Sequence, residues 1–265
     1  MITSTPTNIT FPTGQVDVSQ TQEGEVDVFG YTDERQDWII TPTSIKAAAD
    51  TFKAYFWAQI KTGSRVSEHG IVHNGTVMAW ANSNSGALTS AYVLFEEGGE
   101  TVIDLRVGTS LISESTAKSH IDAETRGTLE DTAREVRESW VEKLDRVKIE
   151  GATEAQKEVF YTAFFHSLTV SEPACVDVFF FTLGLDQYPN EQTENGKYWS
   201  GYDGRVHEAA ESYTGYSIWD TYRAEWAWLI LLAPERVPGM ITSMLADYKE
   251  VSYNYHVQIP YSQRT

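Results

Sequence analysis

The chain has 265 residues, 41% of them apolar and 22% charged, the mixture of an ordinary globular protein with room for two modest domains or one large one. A net charge of −18 leaves no basic face for a phosphate backbone, so nucleic acid is excluded as an expected partner. A single cysteine, Cys175, excludes an internal disulfide framework, and no stretch reaches the roughly 18 apolar residues of a membrane span.

The opening stretch MITSTPTNITFPTGQ lacks the basic and apolar regions of a signal peptide, and none is expected. Two glycosylation triplets begin at Asn8 and Asn74; they matter only if the chain is secreted. From residue 14 to about 112 the chain reads as strands. GQVDVSQ and GEVDVFG alternate apolar and polar residues, and AYFWAQI, GTVMAWAN, SAYVLFEE and ETVIDLRVG continue the pattern. The turns at His73 to Gly75 and Glu97 to Glu100 supply the positive φ of hairpins. Such strands without intervening helices predict an antiparallel sandwich, with a short helical turn in TPTSIKAAADTF.

After Ser113 the period changes. Thr128 with Asp131 forms a predicted capping box, and Leu129, Ala133, Val136, Trp140 and Leu144 follow at helical spacing. RVKIEG reads as a short strand, and Thr153 with Gln156 caps a second helix. A third helix is expected from Ser217 to Leu232. A fourth begins near Pro234 and is striped by Val237, Ile241, Met244, Leu245 and Tyr248. The tail VSYNYHVQIPYSQRT shows no continuing period, and four helices have too few partners to cover them. The order is β first and α second, and the chain reads as truncated.

Between the second and third helices, GKYWSGYDGRVHEAAESYTGYSIWDTYR crowds Tyr198, Trp199, Tyr202, Asp203, His207, Glu208, Glu211, Tyr213 and Tyr216 into one loop. Long loops are commonly functional or disordered, and aromatic content argues against disorder. Flat rings beside carboxylates suit sugar recognition. A loop that simply packs across its own helices fits equally well, and residue types leave both open. There is no G-x-S-x-G, phosphate loop or H-E-x-x-H, and no metal ligand set is assigned.

FYTAFFHSL, YDGRVHEA, YTGYSIWDTYRAEWAWLILLAPERV and MITSMLADY resemble, in order and spacing, glycoside hydrolase family 92, the calcium-dependent exo-acting α-mannosidases. The resemblance is close from about residue 100 to 250 and loose before that. It implies a partial β-sandwich (1–112), a linker helix and short strand (113–150), and the first part of an (α/α)6 barrel (151–265) with an aberrant tail from about 251. It also implies an active site between sandwich and barrel, and removal of terminal α-mannose with inversion. The expected partners are mannose-containing glycans, of N-glycans or mannans, and no membrane. The family is typically secreted. Ca²⁺ belongs to the family, with ligands expected to be missing from this chain.

By the same resemblance Asp220 binds mannose hydroxyls, flanked by Trp219 and oriented by Arg223, with Asp203 and His207 completing the substrate-binding set. Arg223, at i+3, lies on the helix face of Asp220 if both are helical. No residue matches the family's acid or base, so none is assigned as catalytic and the chain is expected to be inactive. Two alternatives stand beside this reading: a non-catalytic carbohydrate-binding module, and a truncated gene product without function.

Overall fold

The alternation in the first hundred residues becomes two antiparallel sheets. The computed structural model describes residues 13–22, 24–33, 52–96, 98, 102–169, 193–213 and 222–258, with side chains in the last helix described as far as Glu250. β1 (Gly14–Gln22), β2 (Glu25–Thr32), β3 (Ala54–Lys61), β6 (Ser83–Ser85) and β8 (Asp104–Ser110) form a five-stranded sheet ordered β6-β1-β2-β3-β8. β4 (Val66–His73), β5 (Thr76–Ala79) and β7 (Thr89–Phe95) form a second, ordered β5-β4-β7.

The pairing of Val18 with Val28 puts Val16, Val18, Val26 and Val28 on one face of the larger sheet. There they pack with Ile71, Ala91 and Val93 of the smaller sheet, which closes a sandwich core. Burial of each large aliphatic side chain stabilises by about 1.5–3 kcal/mol. On the opposite face Asp17, Phe29 and Trp57 are cross-strand neighbours, and the Phe29 and Trp57 rings stack at 4.2 Å. Helix α1 (Glu114–Glu124) lies over Gly108 on that face. A Cβ at Gly108 would stand 2.0 Å from the Ala117 carbonyl oxygen, so this crossing requires glycine. Ser113 caps α1 by accepting from the Thr116 N–H at 3.1 Å.

Two strands escaped the sequence pattern. β4 is the centre of the smaller sheet, but His69 and Gly70 break its apolar alternation, and β6 is three residues long. The predicted turn at Asn74 and Gly75 forms with φ of 50° and 77°, which also places the Asn74 triplet at a hairpin tip. All of the stretch 41–52 expected to hold a helical turn except Phe52, the triplet at Asn8, and Cys175 lie outside the described residues.

The chain divides into two compact units, the sandwich with α1 as far as Thr125 and a helical unit from Arg126. Both predicted caps form. Thr128 and Asp131 bond reciprocally at the start of α2 (Leu129–Leu144). Thr153 and Gln156 do the same, at 2.9 and 3.3 Å, before α3 (Glu154–Thr169). The strand expected over 146–151 does not form. Arg146 instead pairs with Glu235 at 2.9 Å and donates to the Leu232 carbonyl, while the Val147 carbonyl accepts from the Tyr161 hydroxyl at 2.9 Å.

The two remaining helices also differ from expectation. Among the described residues α4 is Glu225–Leu232, and Tyr222 to Ala224 form a turn before it. The helix-face argument for Arg223 therefore does not hold. Pro234 lies in a turn, and α5 runs from Val237 to Gln258, past the break expected near 251. Phe164, Leu168, Tyr213, Leu229, Leu232, Ala233 and Met240 form this unit's core, and the Trp228 indole N–H donates to the Ser167 hydroxyl at 3.0 Å. No helix of the described residues is long and apolar enough to cross a membrane.

Candidate functional site

The segment expected to be an open loop carries its own hairpin. β9 (Lys197–Trp199) pairs with β10 (Val206–Glu208), matching Tyr198 to His207. The Tyr198 and His207 rings stack at 5.5 Å with 28° between planes. Asp203 sits in the hairpin loop. Its carboxylate accepts from the Arg205 backbone N–H at 3.0 Å and bonds His207 Nε2 through both oxygens, at 3.1 and 3.0 Å. The Asp203 side chain is buried, and His207 remains partly exposed. Two predicted substrate-binding residues are thus brought together, with an acceptor-rich carboxylate behind an imidazole that still reaches solvent.

The hairpin is held from below by α5. Glu250 is only 8% exposed, and its carboxylate accepts from the Tyr198 hydroxyl and, at 2.6 Å, from the Ser200 hydroxyl. Ser200 Oγ also accepts from the Tyr202 backbone N–H at 3.1 Å. A buried carboxylate requires such donors, because unpaired it would cost far more than it stabilises. Further along the helix, Ser243 bonds both the N–H and the carbonyl of Tyr213, at 2.9 and 3.1 Å. Glu211 is fixed by Arg236 at 2.9 Å and by the Tyr213 hydroxyl at 3.0 Å. It crosses so close to α5 that a Cβ on Gly239 would lie 1.9 Å from its carboxylate.

Met240, Ser243, Asp247 and Glu250 recur at helical spacing and make the inward stripe of α5. Met240, Ser243 and Glu250 are buried. The expected stripe holds only in part. Met244 packs against the core and Val237 is half-buried, whereas Ile241, Leu245 and Tyr248 are exposed. Met240 enters the apolar core, and hydrogen bonds to the 198–213 segment turn Ser243 and Glu250 inward beside it. Asp247 feels the consequence: burial first, and the Glu250 charge second, raise its carboxyl to about 7. Burial, the Glu250 hydrogen bond and the surrounding acids push the Tyr198 phenol well up, and Tyr202 shifts the same way.

Sequence reasoning missed Asp247 and Glu250. The available signal was two acids three residues apart, in helical phase with Met240 and Ser243. Arg223 is exposed and its guanidinium lies 5.8 Å from the centre of the Tyr222 ring. Trp219 and Asp220 lie outside the described residues.

Residues 116–263, more than half of the chain, match the profile of the glycosyl hydrolase family 92 catalytic domain. That match runs past residue 251, where divergence was expected. Among solved structures, the family 92 inverting mannosidase BT2199 of Bacteroides thetaiotaomicron matches 91% of this chain with a TM-score of 0.69 and 22% identity, over 29% of its own length. The family 92 glycosyl hydrolase ccman5 matches 93% with a TM-score of 0.68 and 20% identity, over 30% of its length. The α-mannosidase BT3965 of Bacteroides thetaiotaomicron, in complex with mannoimidazole, matches 90% with a TM-score of 0.65 and 17% identity, over 28% of its length. These likenesses show the fold, and the chain spans about 30% of the length of the structures it matches. No curated protein sequence matches the chain.

Proposed function

The chain belongs to glycosyl hydrolase family 92, and from that membership we propose that it carries the mannose-gripping wall of an inverting exo-α-mannosidase acting on N-glycans or mannans. The observation that carries this reading is the Glu250 clamp, which fixes the Tyr198–His207 hairpin and so presents the Asp203–His207 pair as a rigid unit. A preorganised pair costs little ordering when a sugar hydroxyl arrives. His207 contacts the hydroxyl and Asp203 sets the imidazole's orientation. Asp220, with Trp219 beside it and Arg223 nearby, supplies the second grip by the family resemblance.

The family implies calcium, and the described residues do not fit it. Among them no group of three or more acids or histidines converges on a point that could hold a cation. Both Glu250 oxygens accept from hydroxyls, and Asp203 is engaged by His207. The proposed binding mode uses no metal. Nor is Glu250 free to serve as an inverting acid or base, since the Tyr198 and Ser200 hydroxyls occupy both of its oxygens. A second reading, glycan binding without hydrolysis, is favoured by how completely Glu250 and Asp203 are engaged internally.

Titration of mannose against wild type, Asp203→Asn and Asp220→Ala tests the grip. Each substitution is expected to weaken binding about tenfold, the loss of one charge-assisted hydrogen bond. Unchanged affinity in both variants would remove these residues from the site. An aryl α-mannoside with Ca²⁺ tests chemistry. No turnover is expected from the 265-residue chain. Hydrolysis abolished by Asp247→Asn would instead move an acid or base role onto the α5 stripe.

A further inference from the structure

One large aromatic of the sandwich stands in water on a backbone that resists it. Trp80 follows β5 with φ of +60°. In that region a Cβ crowds the following carbonyl, and a bulky residue there is a true outlier. Burial does not compensate, since Trp80 is 54% exposed. Strain of this kind persists where the surroundings over-determine it, and it clusters at ligand sites.

The surroundings here do over-determine it. The Trp80 backbone N–H donates to the His69 carbonyl at 2.7 Å, and the Ala81 N–H donates to the Met78 carbonyl at 3.3 Å. The His69 ring, in a residue 7% exposed, meets the indole edge to face with centroids 5.1 Å apart. His69 Nε2 is 2.8 Å from Asn82 Oδ1, so Nε2 carries the proton and donates. Nδ1 is then a bare acceptor, buried without a hydrogen-bond partner. Asn82 is exposed, and with its oxygen facing His69 its amide N–H₂ is turned away from that bond. Its amide donors have no partner among the described residues. The result is a rigid apolar plate with an uncommitted amide donor two residues away.

We propose that Trp80 and Asn82 form a carbohydrate platform on the sandwich unit. A pyranose ring lays its C–H face on the indole, and a ring hydroxyl accepts from Asn82 Nδ2. The occupant is one unit of an α-linked mannan chain. A neutral polyol needs no charged partner, and a protein of net charge −18 disfavours an acidic ligand. The choice of mannose over other pyranoses rests on the family reading above, whereas the plate and its donor do not. Because Trp80 is already fixed, binding orders little that is free, which suits a weak surface contact.

The test titrates α-mannotetraose against the 265-residue wild type, Trp80→Gly, Asn82→Ala and Asp220→Ala, with a thermal melt and a sedimentation run on each. Glycine accepts φ of +60° without penalty, so Trp80→Gly is expected to melt at or above wild type. The same variant is expected to lose about tenfold in tetraose affinity. Asn82→Ala loses about threefold, and Asp220→Ala keeps the Trp80-dependent part. Equal tetraose affinity in wild type and Trp80→Gly would overturn the platform, whatever Asp220→Ala does. So would a large drop in melting temperature for Trp80→Gly, which would make the indole structural, or a wild-type dimer that Trp80→Gly dissolves. If Asp220→Ala binds like wild type while Trp80→Gly does not, the mannose-grip reading fails and the platform stands.

Discussion

In the sandwich, Val16, Val18 and Val26 bury against Ile71, and the positions of the three valines follow the period-two alternation of β1 and β2. In the helical unit, α5 turns Met240, Ser243, Asp247 and Glu250 inward and leaves Ile241, Leu245 and Tyr248 in water. The same rule, bury what is apolar, places these sandwich strands but accounts for only Met240 and Met244 along α5. The difference lies in the partner. A sheet face opposite another apolar face is chosen by area removed from water. A helix opposite an irregular segment with orphan donors is chosen by the hydrogen bonds those donors demand. The second kind of interface is where the candidate site sits.

The contrast can be broken at its strongest point first. Glu250→Ala strands the Tyr198 and Ser200 hydroxyls in a buried setting, and we expect a loss of about 3 kcal/mol from the helical unit. Chemical denaturation measures it; a change below about 0.5 kcal/mol would mean the stripe carries no stability. Next, Gly239→Ala drives a methyl group into the Glu211 carboxylate, which Arg236 and Tyr213 hold in place. The expected cost is about 1–3 kcal/mol, with the Tyr213 environment perturbed in near-ultraviolet circular dichroism.

A control from a helix outside the stripe comes third. Thr128→Ala removes the α2 capping box for about 1 kcal/mol and leaves mannose affinity unchanged. The smallest effect is a pH slope. Asp247 is raised from 3.8 to about 7, so its contribution is complete below pH 3.8 and is lost as pH rises through 7. Wild-type stability should therefore fall across that window by a discounted amount, because Asp247 keeps some contact with water. Denaturation midpoints of Asp247→Asn followed from pH 3.8 up to about 7 should lack this component. An equal slope in both proteins would place its origin elsewhere.

What could be read from residues alone follows the same division. The strand alternation, the Asn74–Gly75 turn and the Thr128 and Thr153 caps are local signals, each completed within a few residues, and each formed. β4 was not legible because a central strand flanked on both sides tolerates His69 and Gly70 without alternation. The expected strand at 146–151 failed because Arg146 and Val147 find partners on α4, on α3 and in the turn after α4. At the site, Asp203 and His207 are four residues apart and are named through the family resemblance of YDGRVHEA. Glu250 meets Tyr198 and Ser200 across 52 and 50 positions, and no periodicity carries that distance.

In the proposed grip, a hairpin pinned by a buried acid offers its histidine to a sugar. The most direct measurement follows the His207 imidazole signals by NMR as mannose is added to wild type and to Glu250→Gln. The account predicts saturable shifts of the His207 ring protons in wild type, and shifts about tenfold weaker in concentration dependence once the clamp is loosened. Saturable mannose binding that leaves the His207 signals where they were, or binding equal in Glu250→Gln, would contradict it.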